Sequence, residues 1–193
     1  LTLCPLVVLI LLGSLQADDE QPTGKRTPWT TSRFQGTPEP PPPFQAQRVF
    51  PDISFHQPTV ITSAPGTDRF FVAQHDGKVF SFADDQDVKQ ADLFLDVADL
   101  VQQLNDAGED VRYVATYGMT FHPNFAENRY CYVCYVVRHT AGGKGQHPDG
   151  TRVVRLSVSD SNPPVADPRS EFPIITWLQG GHNGGCLKFG LDG

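Results

Sequence analysis

From residue 49 onward the chain breaks into short apolar or alternating runs, each bounded by Gly, Asp, Asn or Pro. Runs of this length and punctuation are strands joined by turns, and few other folds are compatible with them. Residues 59–62, 69–73 and 78–82 read as strands, with His75, Asp76 and Gly77 turning the second into the third. Residues 94–97 read as a fourth, and a short helix follows over residues 97–105, closing at Gly108. A second set of four strands covers residues 117–121, 130–137, 151–158 and 172–177, and a third set opens at residues 185–189.

Four consecutive strands per set is the rhythm of a β-propeller blade. A β-sandwich also shows short strands and frequent turns. One local design recurs, however: an apolar strand, a turn rich in His, Pro, Asp, Asn or Gly, then an aromatic strand. The expected fold is therefore all-β, about two four-stranded blades and the start of a third over residues 46–193, truncated from a longer propeller. Two blades leave faces uncovered, so residues 46–193 alone are expected to fold poorly.

Residues 1–17, LTLCPLVVLILLGSLQA, join an apolar run to a small-residue stretch ending in Ala17, the layout of a secretory signal peptide. A membrane anchor is the rival reading, but the apolar run stops short of the roughly 20 residues that a span requires. An exported protein, periplasmic or extracellular, without a stable membrane span is expected. Residues 18–45 are polar and proline-rich and read as a linker, with the prolines at 40–43 suited to polyproline II. The chain carries 22 Asp and Glu against 15 Lys and Arg, a formal charge of −7. No basic patch invites a nucleic acid, which turns attention to small molecules as partners.

Past the leader stand Cys131, Cys134 and Cys186, an odd number for an exported protein. One disulfide with a free thiol, or no disulfide, are both open. Cys131 and Cys134 sit three apart in RYCYVCYVV, a strand by composition, so they face opposite sides and cannot chelate one metal together. They read as small buried hydrophobes. No metal site emerges from this part of the sequence.

Among the histidines, His122 in the sequence TFHPNF reads as a capping group of a loop, and His75 as an exposed turn residue. His56, His139 and His147 sit in loop-like surroundings with no discernible partner. His182 differs: Gly180, Gly181, Gly184 and Gly185 flank it, and Asn183 stands beside it. Glycines on both sides remove bulk, so the backbone can turn sharply and a ligand can approach the imidazole. A turn histidine and a working residue are both compatible with this spacing.

The segment YGMTFHPNFAENRYCYVCYVV, followed by GGHNGGCLKFGLDG, resembles the soluble quinoprotein glucose/sorbosone dehydrogenase family over residues 57–193. The resemblance implies a six-bladed propeller holding pyrroloquinoline quinone over its channel, with calcium beside it bound by residues beyond 193. It implies an oxidoreductase acting on a small-molecule sugar, an aldose, passing hydride to the quinone. His182 matches the family's general base, Asn183 lies next to it, and Tyr113, with Arg112, falls near an expected polar contact to the cofactor. The assignment is chemically sensible, since a neutral imidazole serves as a base near pH 7 and the quinone supplies the redox chemistry. The chain departs from the family at Gly181, where the best-studied branch has an acid, and in GEDVRYVATYGMTF, which lacks a Gly-Gln or Gly-Glu-x-Gly-Leu stretch. Fold does not secure activity. The alternative is a non-catalytic propeller that binds a glycan or a protein at its channel mouth.

Overall fold

The computed structural model describes residues 45–140 and 146–191. The signal-peptide reading of residues 1–17 and, apart from Gln45, the linker reading of residues 18–45 lie outside the described residues. One compact unit runs Ala46–Gly193.

Within it the strands form two four-stranded antiparallel sheets. The first contains β1 (Pro58–Ser63), β2 (Arg69–Gln74), β3 (Lys78–Ala83) and β4 (Asp92–Asp96), and the second β5 (Val111–Phe121), β6 (Tyr130–His139), β7 (Thr151–Val158) and β8 (Ala166–Trp177). Spatial order equals chain order in both, the meander of a propeller blade. Helix α1 (Val97–Asp106) joins the sheets, and the single turn α2 (Phe125–Asn128) lies between β5 and β6.

The sheets share one core. Phe71 and Ala73 of β2, Phe94 of β4, Met119 and Phe121 of β5, and Val133 and Tyr135 of β6 are buried in it, closed by Val97, Leu100, Val101 and Leu104 of α1. On the other side of β2 and β3, Val72 and Phe82 form a smaller cluster with Ile53, and Phe50 and Phe55 of the preceding segment pack over them. Strand β2 is thus covered on both faces, which is why its centre, FFVA, reads as a continuous apolar run.

Several boundaries differ from the sequence reading. The strand expected at 94–97 is Asp92–Asp96, because the Asp96 carboxylate accepts from the Ala98 amide at 3.0 Å and starts α1 at Val97. Strand β5 begins well before residue 117, and β8 well before 172. The segment at 185–189 has no ladder partner among the described residues, although its burial alternates residue by residue from Asn183 to Gly190. It lies on the second sheet as an extended chain.

Candidate functional site

The stretch after β8 is held by three anchors. The Gln179 amide donates to the carbonyl of His147 at 3.0 Å. Asn183 Oδ1 accepts from the Gly180 amide at 2.9 Å and from Thr151 Oγ1 at 3.1 Å, while Nδ2 donates to the Gly180 carbonyl at 3.2 Å. The side chain of Asn183 thus closes the turn around His182 and ties it to β7. Farther on, the Phe189 ring meets those of His122 and Tyr132, each at 5.3 Å.

His182 itself is exposed and makes no hydrogen bond, ion pair or ring contact among the described residues. No atom outside the chain neighbours lies within 4 Å of a Cβ built on Gly181 or Gly184. The imidazole therefore stands in open space, reachable by a large partner as readily as by a small one.

Tyr113 is bonded within the fold. Its hydroxyl donates to the carbonyl of His75 and lies 3.1 Å from Thr116 Oγ1, while its ring sits beneath Gly77. Burial pushes its phenol above the ordinary tyrosine range. Tyr113 thus clamps the β2–β3 hairpin onto β5, and it shares no bonding partner with Asn183. Arg112 beside it is exposed.

The expectation of an exposed His75 is corrected by the same clamp. His75 is half-buried, its ring edge-on to Tyr117 at 5.7 Å, because the hairpin turn leans on β5. His122 caps its loop as read, Nδ1 accepting from the Asn124 amide at 3.0 Å. Cys131 and Cys134 are buried on opposite faces of β6, and Cys186 is exposed, all three as free thiols. Burial raises the Cys131 thiol to about 12 and the Cys134 thiol to about 11, which makes both inert near neutrality. No group of three or more His, Cys, Asp or Glu among the described residues is arranged to hold a metal ion.

One polar cluster escaped the sequence reading, which gave His139 and His147 no partner. Their rings lie 4.7 Å apart, His147 Nε2 is 3.6 Å from Glu109 Oε2, and Arg152 Nη1 donates to the same oxygen at 3.2 Å. His139 ends β6, and His147 is buried with 8% exposure. Next to this cluster the Tyr135 hydroxyl donates to Glu171 at 2.9 Å, and burial raises the Glu171 carboxyl. The signal was present: once residues 130–137 and 151–158 are read as a hairpin, His139 and His147 fall at its mouth.

No family model matches the chain. It is similar to Hedgehog-interacting protein of Mus musculus, 30% identical over 137 residues, covering 70% of this chain and 19% of that protein. It is also similar to Hedgehog-interacting protein of Homo sapiens, 31% identical over 133 residues, covering 68% of this chain and 18% of that one. The chain spans about a fifth of the length of these relatives.

Proposed function

We propose that the chain is part of an exported β-propeller that binds a protein, with a Hedgehog-type protein as the partner and the exposed turn carrying His182 as part of the contact surface. The observation that carries this reading is the similarity, over 70% of the chain, to a protein whose name states such an interaction. The geometry supports it in two ways. His182 is exposed and has no bonding partner among the described residues, as a residue on an external contact surface would. Trp177 and Leu178, just ahead of it, are exposed large apolar groups of the kind that anchor protein interfaces.

Of the three residues named for the dehydrogenase reading, His182 alone makes no side-chain bond among the described residues. Asn183 and Tyr113, the residues expected near a quinone, have their polar groups engaged within the fold. These bonds offer nothing on which to build the cofactor reading, and no step of sugar oxidation is derived from this arrangement.

A biosensor titration of the full chain with a purified Hedgehog signalling domain tests the proposal. Saturable binding is expected, weakened about tenfold or more by His182→Ala, the range of a contact worth about 1.4 kcal/mol. Absence of binding overturns the reading. So does dye reduction by an aldose that depends on added pyrroloquinoline quinone and calcium, in favour of the dehydrogenase.

A further inference from the structure

We propose that His147 is a proton-operated latch: uptake of a proton at Nδ1 opens the turn at residues 147–150 and releases the stretch that carries His182. The proposal is independent of what that stretch binds.

The latch is built from hydrogen bonds that converge on one residue. His147 Nδ1 accepts from the Asp149 amide at 3.1 Å, and the His147 carbonyl accepts from the amides of Gly150 at 3.1 Å and Gln179 at 3.0 Å. The Gly150 carbonyl in turn accepts from the Val137 amide at 2.7 Å, and Asp149 Oδ1 accepts from Thr176 Oγ1 at 2.8 Å. The turn thereby joins the end of β6, the start of β7, the end of β8 and the first anchor of the His182 stretch.

The bond at Nδ1 needs a lone pair, so the ring is neutral there and carries its proton on Nε2, toward Glu109. An imidazolium has two N–H groups and no acceptor. Protonation would set two donors face to face, Nδ1–H and the Asp149 amide, and the turn would have to move.

The charged groups around the ring divide. Glu109, from the loop before β5, and Asp149, within the turn, favour the cation, while His139 at the end of β6 and Arg152 of β7 oppose it. Glu109 is already paired with Arg152, which weakens its pull. Glu171 of β8 lies one step farther out, on Tyr135. Burial is the largest influence and, with His139, holds the His147 pKa below its ordinary value. The closed turn therefore binds a proton less tightly than the open one. The sign follows: the latch is fully closed above the ordinary histidine pKa of about 6.5 and weakens as pH falls below it, by up to about tenfold per pH unit until the closed form itself titrates.

Amide hydrogen exchange of the full chain at pH 7.5 and pH 5.5, corrected for the intrinsic pH dependence of exchange, is the test. Protection of the Gln179 and Gly150 amides is expected to fall severalfold, up to about tenfold, at the lower pH, while that of Val133 and Val154 in the ladder holds. In His147→Asn, Oδ1 can accept from the Asp149 amide without titrating, and protection is expected to be equal at both pH values. A parallel NMR titration of the His147 ring in the unsubstituted chain keeps the test valid if that variant does not fold, because the ring's midpoint in the closed chain must lie below the ordinary histidine value and the loss of protection must level off there. Unchanged protection at pH 5.5, the same loss in His147→Asn, or a ring midpoint at or above the ordinary histidine value would each overturn the latch.

Discussion

Gly118 and Gly185 meet backbone to backbone. A Cβ on Gly118 would stand 1.6 Å from the Gly185 carbonyl oxygen, and Gly185, at φ +128°, would drive its own Cβ to 2.6 Å from Tyr117 Cβ. The obstacle at Gly118 is main chain, which cannot swing aside as a flexible side chain can. Gly118→Ala is therefore expected to lift the extended stretch off the second sheet, expose the peptide bond after Lys188 and raise tryptic cleavage there severalfold. The associated loss of stability is about 1–3 kcal/mol, the ordinary cost of overpacking. A cleavage rate equal to that of the unsubstituted chain would refute this seating. The contact also shows what the sequence could and could not display. The glycines around His182 were legible as a sharp turn with free space, and Gly181 and Gly184 have that space. That Gly185 serves the close approach of another strand was not legible, because its partner lies far off in sequence and carries no side chain to form a pattern. Asn183 and Tyr113 were visible as polar residues in suggestive places, but their bonds to Thr151 and to the His75 carbonyl depend on tertiary neighbours that a local reading does not contain.

Strand and helix positions followed from period and punctuation wherever these were clean. In α1, Val97, Leu100, Val101 and Leu104 fall on one buried face, and Asp96 supplies the cap. Removing that cap with Asp96→Ala is expected to cost about 1 kcal/mol, read as a lower denaturation midpoint at unchanged slope. A loss under about 0.3 kcal/mol would mean that the helix is fixed by its buried face alone. Where elements ran longer than expected, the period was broken. Strand β5 carries two register shifts, between Tyr113 and Ala115 and between Thr116 and Gly118, and each reverses the alternation that would have extended the strand toward Val111. The early part of β8 contains Pro168 and the polar residues Asp167, Arg169 and Ser170, a poor strand signal tolerated because β8 is an edge strand. The stretch at 185–189 has the alternation of a strand but no ladder among the described residues, since pattern declares a face while pairing needs a neighbour.

At the scale of the molecule, the question is whether two blades behave as two units or one. The first sheet contributes Phe71 and Phe94, and the second contributes Phe121, whose ring centroid lies 4.5 Å from that of Phe71 and 4.9 Å from that of Phe125. These rings are 4% exposed or less, so neither sheet keeps its inner face dry without the other. The outward side chains of β8 are different: Phe172, Ile174, Ile175 and Trp177 are exposed, and Pro168 and Pro173 blunt the edge against further pairing. Two substitutions separate these roles. Phe121→Ala is expected to remove about 3–5 kcal/mol, a large part of the total stability of about 5–15 kcal/mol usual for a domain. Because the loss falls on the shared core, the amides of β2 and of β6 are expected to lose exchange protection together. Ile175→Lys, on the exposed face, is expected to leave the melting temperature within about 2 °C while reducing concentration-dependent association through that face. If Phe121→Ala instead unprotected β2 while β6 kept its protection, the sheets would be independently stable and the cooperative role of the aromatic core would fail.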